Sequence, residues 1–435
     1  MLDIQGRKIT LIGSKRSALA SGQLVLERGG IPRISEFGRE EDLDPSAKSW
    51  IQSHQIDLEC AGHTKDFLKE SDVIVLSPGV RIDSDVVKIA DDLDIPVLGE
   101  IEFAFQFCPK PVIAVTGSNG KTTVSTLIHL TLQKAGYRSV LCGNVGQPFS
   151  LFIKNIEQSD YVVVEVSSFQ MESLMAGSQR EHFGALQLKG FKPYIAAVLN
   201  FSENHLDRHK DLQEYFDAKT RIFLNQDEND YAVLNGQYSE FKDLSLTLKA
   251  QIRFFNDHEQ SEADFNANQK AVCQVANILG IDRDVCRSVF QEFVGVEHRL
   301  EFVRALNGVD YINDSKATTA EAGRWALTNL QRPVIMICGG RDKNIDFLPL
   351  KDIVRQKVKQ MIVFGEAGQK LKDTFQDVVS VDQCAQLDAA VTRAREHATD
   401  GDCIVLSPMC ASFDQFRDYE ERGRTFKDIV HQLKP

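Results

Sequence analysis

TGSNGKTT, residues 116–123, follows the apolar run PVIAV (111–115) and precedes VSTLIHLTLQKAG (124–136), where apolar residues recur at helical spacing up to a terminal glycine. The order is buried strand, tight loop, helix. Gly117 and Gly120 let the backbone approach a phosphate closely, amides at the helix start point toward the ligand, and the helix dipole favours negative charge. Lys121 adds a mobile cation, and the hydroxyl of Thr122 or Thr123 suits Mg2+. With Ser118 and Asn119 between its glycines, the loop is built for a nucleotide. It departs from GxxxxGK[ST], because position 115 is Val and the glycines are three apart.

Working outward, 435 residues suggest three domains at about 150 residues each, and 43% hydrophobic residues supply several cores. A net charge of -12 argues against a general nucleic-acid binder, since phosphate backbones attract basic surfaces. MLDIQGRKITLIGS, at the amino terminus, carries no apolar signal stretch, and no run approaches the roughly 18 residues that span a bilayer, so a cytoplasmic protein without a membrane partner is expected. Nine cysteines without CxxC pairs are expected to be mostly reduced and buried.

Strand and helix signals alternate throughout, which predicts an α/β protein. KITLIG, SDVIVLSPGV and IPVLGE read as strands of a first unit that ends near FQFCPKP, whose prolines suit a linker. PVIAV, YVVVEV and YIAAVLNF are continuous enough for a parallel sheet buried on both faces. HRLEFV opens a third unit, with VIMICGG, MIVFGEAG and CIVLSP as later strands. The expected divisions are 1–108, 109–297 and 298–435. The first unit keeps only Gly13 of a GxGxxG pattern, yet ligands of open parallel sheets sit at strand carboxyl ends, so the turn 13–17 with Ser17, and Ser77 to Gly79, are candidate contacts.

Glu165 ends an apolar strand, where an unpaired carboxylate is costly to bury and Mg2+ coordination is an economical explanation. His205 and Asp207 follow the next strand in a polar cluster, and Lys219 lies on the amphipathic helix after it.

TGSNGKTT, EVSSFQ, NHLDRH followed by AKTRIF, HRLEFV, YINDSKAT, GGRDKNIDF and LSPMCASFDQFRDYEERGRTF resemble, in order and spacing, the motifs of the Mur ligases over roughly residues 70–430. The last three resemble the members that add D-glutamate to UDP-N-acetylmuramoyl-L-alanine, ASFDQF being the most specific. The resemblance implies an N-terminal Rossmann-like domain for the UDP end, a central P-loop ATPase with a mainly parallel sheet, and a C-terminal Rossmann-like domain for the amino acid. It implies ATP-dependent amide formation through an acyl phosphate in peptidoglycan precursor synthesis, and a monomer. Catalytic roles fall to Lys121, His205, Lys219 and Lys316. Two Mg2+ sites are implied, one on Thr122 and Glu165, the other on His205 and Lys219, with Lys219 carrying a CO2-derived carbamate.

By the same resemblance, Asn144 and Ser167 lie near the muramoyl and alanyl portions, and Arg299 and Asp314, with Lys316 nearby, meet the nucleotide. Thr318, Lys343, Ser412 and Tyr419 surround D-glutamate, to which cations and hydroxyls are suited. The family element His-Asn-x-x-Asn, which helps hold adenine, appears as FNANQ (265–269), so Asn266 matches while Phe265 and Gln269 differ. SKRSA (14–18) replaces a glycine-rich turn at the UDP end, and Tyr419 stands where Phe is usual. Competing readings are a Mur-type ligase for another amino acid, folylpolyglutamate synthase, a nucleotide sensor or scaffold without ligase activity, and a nicotinamide dehydrogenase. ASFDQF disfavours the first two, the intact Lys121, Glu165, His205 and Lys219 the third, and the missing glycines the fourth.

Overall fold

In the computed structural model, residues 2–144, 147–176, 186–202, 208–257, 265–293, 295–342 and 345–434 are described. They form an α/β protein with three mainly parallel sheets. Two compact units divide the chain, Met1–Phe293 with two of the sheets and Val294–Pro435 with the third.

The first sheet comprises β1 (Lys8–Ile12), β2 (Ile31–Ser35), β3 (Asp57–Glu59), β4 (Val73–Leu76) and β5 (Val97–Gly99), all parallel, in the order β3-β2-β1-β4-β5. Strand order reverses between β1 and β4, which places Gly13 and Ser77 side by side at the switch point. β2 and β3 escape the sequence pattern for physical reasons. Pro32 interrupts β2, but β3 pairs only with Arg33–Ser35, so the proline sits where β2 still lacks that neighbour. β3 has three residues, none buried.

The second sheet comprises β6 (Val112–Thr116), β7 (Ser139–Gly143), β8 (Tyr161–Glu165), β9 (Ile195–Val198), β10 (Tyr231–Asn235) and β11 (Gln251–Phe255), in the order β11-β10-β9-β6-β8-β7. Its pairings are parallel. β6 is buried at every residue and central, flanked by β8 and β9. The helix Lys121–Lys134 follows its loop and ends against Gly136, at φ +90°.

In the second unit, β12 (Glu301–Leu306) runs antiparallel to β13 (Val309–Asn313). The remaining strands β14 (Val334–Gly339), β15 (Val358–Phe364), β16 (Val381–Gln383) and β17 (Cys403–Leu406) are parallel in the order β12-β13-β17-β14-β15-β16. All nine cysteines are free thiols, and Cys60, Cys108 and Cys384 are only half-buried.

Candidate active site

The loop after β6 is held from one side by Asn200, which follows β9. Asn119 N donates to Asn200 Oδ1 at 2.8 Å, and Asn200 Nδ2 returns a bond to Asn119 O at 3.0 Å. Ser118 N donates to Asn200 O at 3.1 Å. The buried Ser118 hydroxyl donates to Ser202 O at 3.1 Å and meets Tyr215 Oη at 3.2 Å. Ser118 and Asn119 therefore shape the loop, and the first-turn amides of helix Lys121–Lys134, which have no intrahelical acceptor, supply its donors. Gly120 caps this helix at φ +80°, a left-handed conformation that suits glycine.

Two lysines converge on the same loop. Lys121 Nζ donates to Gly117 O at 2.9 Å and to Ser118 O at 3.1 Å, and Lys219 Nζ donates to Gly117 O at 2.9 Å. Lys219 sits on helix Leu212–Thr220, only 2% exposed, its ammonium 4.5 Å from the centre of the Tyr215 ring. Burial, and then repulsion by Lys121, push its pKa well below the ordinary lysine value, favouring the neutral amine.

Glu165 ends β8, in register with Val115 of β6. It is 1% exposed; Oε1 accepts from Asn144 Nδ2 at 2.6 Å, while Oε2 has no hydrogen-bond partner among the described residues. The buried Thr116 hydroxyl, at the end of the neighbouring strand, also lacks one among the described residues. Orphaned buried polar atoms are uncommon, and an unpaired carboxylate oxygen beside a phosphate-type loop, with the buried Thr122 hydroxyl in the adjoining helix turn, fits a divalent cation. His205 and Asp207 lie outside the described residues. His209, four residues after His205, is buried, with Nε2 at 3.2 Å from Ser168 Oγ and its pKa lowered by burial. Ser167 caps the short helix Ser168–Met171 in a reciprocal pair with Gln170. Thr123 is half-buried in the first turn of helix Lys121–Lys134.

At the first sheet's switch point, the Ser77 hydroxyl is buried with no hydrogen-bond partner among the described residues, and a Cβ on Gly13 would stand 2.9 Å from it. Ser17 is half-buried in the first turn of helix Arg16–Glu27. Gly79 O accepts from Arg208 Nη1 at 3.1 Å, and Arg208 pairs with Glu172 at 2.7 Å. Asn266 caps helix Ala267–Ile278, its Oδ1 accepting from Gln269 N at 3.1 Å while Gln269 Oε1 accepts from Asn266 N at 3.0 Å.

The second unit gathers its candidates around the loop after β13. Asp314 is 3% exposed, accepting from Leu300 N at 3.2 Å and Ser407 Oγ at 2.8 Å. Burial raises its pKa to about 7, opposed by those bonds and by Arg299. Lys316 N donates to the buried His298 carbonyl at 3.0 Å, and the Lys316 ammonium is 5.7 Å from the Tyr419 ring centre. The Arg299 guanidinium stands 5.4 Å from the Trp325 ring centre. Thr318 is half-buried before helix Ala320–Asn329, and Ser412 is 2% exposed. Lys343 lies outside the described residues.

Arg422, fully buried, ties these loops together. It donates to Ser315 Oγ at 3.0 Å, Ser315 O at 2.9 Å and Cys410 O at 3.2 Å, while Ser315 Oγ donates to Tyr419 O at 2.7 Å. Desolvation lowers its pKa to about 10. Sequence reasoning passes over Asn200 and Arg422. Asn200 carries a signal, being the polar residue that breaks an apolar strand at its carboxyl end, whereas nothing in RDYEERG marks Arg422 as buried.

Comparison with known proteins agrees with this layout. Residues 9–86 match the MurD N-terminal domain, 115–290 the Mur ligase middle domain, and 298–410 the Mur ligase, glutamate ligase domain. The UDP-N-acetylmuramoylalanine--D-glutamate ligase of Thermoanaerobacter sp. (strain X514) is 35% identical over 470 residues, covering 100% of each chain. That of Pelodictyon phaeoclathratiforme is 34% identical, covering 99% of each. Among solved structures, UDP-N-acetylmuramate-alanine ligase MurC from Thermotoga maritima shares the fold at a TM-score of 0.58 and 16% identity, covering 98% of this chain and 100% of its own. MurF ligase from Thermotoga maritima, in complex with ADP, does so at 0.56 and 16%, covering 84% and 92%. The chain belongs to the Mur ligase family, and within it to the UDP-N-acetylmuramoylalanine--D-glutamate ligases.

Proposed function

We propose that this protein is an ATP-dependent ligase that joins D-glutamate to UDP-N-acetylmuramoyl-L-alanine in the synthesis of peptidoglycan precursors. The observation that carries this reading is the convergence of Lys121 and Lys219 on Gly117 O, in a glycine loop between a buried strand and a helix, beside a buried carboxylate with an open oxygen. The relatives' names supply the substrates.

A carboxylate is a poor electrophile. Attack of the substrate carboxylate on the γ-phosphate would give an acyl phosphate and ADP; attack by the D-glutamate amine would then form the amide and release phosphate. Several negative charges meet in the first step, so catalysis is mainly positioning and neutralisation. Lys121 would turn from the loop carbonyls to the phosphates, whose oxygens would accept from the first-turn amides. Thr122 and Glu165 would hold one Mg2+, which when bound neutralises triphosphate charge.

Lys219 as an ammonium repels a metal ion. Its neutral amine, which burial favours, adds CO2 with loss of one proton to give a carbamate, and in that form Lys219 with His205 would hold a second Mg2+. Asn144 orients Glu165, and Ser167 lies at the following helix start. Domain 1–108, with Ser17, Ser77 and Gly79, would take the UDP end; 109–297 would take ATP; 298–435 would take D-glutamate through Thr318, Lys343, Ser412 and Tyr419, with Arg299, Asp314 and Lys316 toward the nucleotide. We place the enzyme in the cytoplasm as a monomer. No helix among the described residues is long and apolar enough to cross a membrane.

The test is an amino-acid panel with ATP, Mg2+ and UDP-N-acetylmuramoyl-L-alanine, followed by product mass. Phosphate release with D-glutamate, and a product heavier by one glutamyl residue, supports the reading. ADP formation independent of the amino acid would contradict it.

A further inference from the structure

The NHLDRH stretch (204–209) carries, three residues after His205, an arginine with no part in the phosphate chemistry. The Arg208 side chain is 12% exposed and makes a two-pronged pair with Glu172, Nε donating to Oε1 at 2.9 Å and Nη2 to Oε2 at 2.7 Å. Its guanidinium carbon lies 4.5 Å from the centre of the Phe169 ring. Phe169 lies in helix Ser168–Met171 and Glu172 at the carboxyl cap of that helix, so one side of the guanidinium is fixed to the element that Ser167 opens.

The same group also reaches the first sheet. Nη1 donates to Gly79 O at 3.1 Å and Nη2 to Val80 O at 3.3 Å, while Arg81 Nη1 donates to Arg208 O at 3.0 Å. Three consecutive residues of the turn after β4 are thereby tied to one residue of the central domain. Val80 N donates to Ser77 O at 2.9 Å, which closes the turn on Ser77. Ser77, Val80, Phe169, Gln170 and Glu172 line one cavity between the turn and the helix.

We infer that Arg208 is a positioning residue for the sugar nucleotide, setting the turn 77–80 against the helix start at Ser167. This rests on the reading of the first domain as the UDP end and of 116–123 as the ATP loop. A substrate held at one end by the first sheet must deliver its carboxylate to a phosphate held by the second, so the spacing between the two elements enters its binding and its alignment for attack. A planar fork can meet a carboxylate and two carbonyls at once. A lysine in its place would keep the charge opposite Glu172 and lose that geometry. The ATP loop receives none of these bonds, so nucleotide binding is not coupled to them.

The experiment is steady-state kinetics of the full-length protein with each substrate varied in turn, for wild type, R208A, R208K and the double variant R208M/E172Q, beside calorimetric titration with ADP. The double variant removes both charges at similar volume and guards against misfolding from an unpaired buried carboxylate. In all three variants the KM for UDP-N-acetylmuramoyl-L-alanine should rise by at least about tenfold, the scale of losing charge-assisted hydrogen bonds. The KM values for ATP and D-glutamate, and the affinity for ADP, should stay near wild type. Guanidinium ion at low millimolar concentration should partly restore the sugar-nucleotide KM of R208A and leave R208M/E172Q unchanged. A wild-type sugar-nucleotide KM in the double variant, or an equal rise for all three substrates, overturns the inference and leaves the ligase reading standing. A wild-type protein that binds ADP yet makes no product overturns both.

Discussion

Lys121 and Lys219 donate from their ammonium nitrogens to a single acceptor, the carbonyl of Gly117, each at 2.9 Å. They come from the first turn of one helix and the end of another, and Lys219 lies 102 residues from Gly117 along the chain. Two cations on one carbonyl repel, and burial together with that repulsion lowers the Lys219 pKa well below the ordinary lysine value, which favours the neutral amine that CO2 chemistry needs.

Lys219→Ala should lose activity by at least about a hundredfold, the scale of removing one preorganised charged group. Small carboxylates such as acetate should partly restore it by standing in for the carbamate. Full activity in the mutant would remove Lys219 from the mechanism.

The same burial makes a stability prediction. Because the folded pKa of Lys219 is lowered, the unfolded chain binds its proton more readily between that value and about 10.4, so stability rises with pH through this window. In CO2-depleted buffer at neutral pH, Lys219→Met should raise the melting temperature, by roughly 2–4 °C for each kcal/mol of relieved desolvation. The gain should shrink toward pH 10. A melting temperature lowered by the substitution at every pH would contradict this.

Glu165→Gln keeps the shape, replaces one carboxylate oxygen by an amide nitrogen that does not ligate Mg2+, and removes the negative charge. Turnover should fall by about two to three orders of magnitude and the Mg2+ requirement should rise. Stability should hold or improve, because an incompletely paired buried charge has been removed. Mg2+ titrations of rate, beside melting curves, check both directions.

Gly120→Ala combines a left-handed φ of +80° with a collision at Asn268. The conformation alone costs about 1–2 kcal/mol. Gly136 is a useful control: its φ is +90°, and among the described residues a Cβ there would meet no heavy atom within 4 Å beyond its chain neighbours, so Gly136→Ala carries strain without a clash. ADP affinity should drop by at least about tenfold in Gly120→Ala and stay near wild type in Gly136→Ala, as titration calorimetry will read.

Asp314 titrates near pH 7 in the folded chain, raised by burial. The folded state therefore holds a proton that the unfolded state releases near pH 4, and stability contributed by this residue falls as pH climbs from about 4 to about 7. Denaturant melts across that range should show the decline in wild type and a flatter curve in Asp314→Asn. An equal slope in both would assign the decline elsewhere.

Much of this was legible in the sequence where apolar runs were unbroken. β6, β8 and β9 announce themselves because they are buried throughout or nearly so, and their carboxyl ends carry the loop, Glu165 and Asn200. Short or half-exposed strands were silent: β7 has one buried residue in five, β16 has three residues and none buried. The lysine pair was half legible. Lys121 is marked by its glycines, but the burial that gives Lys219 its chemistry arises from Tyr215 and the loop, which local composition does not encode. Arg422 was invisible, since a charged residue in a charged helix reads as solvated until tertiary packing closes over it.

The most direct test of the central claim, that a carboxylate receives the γ-phosphate before the amine attacks, is oxygen transfer. UDP-N-acetylmuramoyl-L-alanine labelled with 18O in its alanyl carboxylate is turned over with ATP and D-glutamate, and the released phosphate is weighed by mass spectrometry. An acyl phosphate carries one labelled oxygen into each phosphate. Unlabelled phosphate, formed at the same rate as the peptide bond, would contradict it.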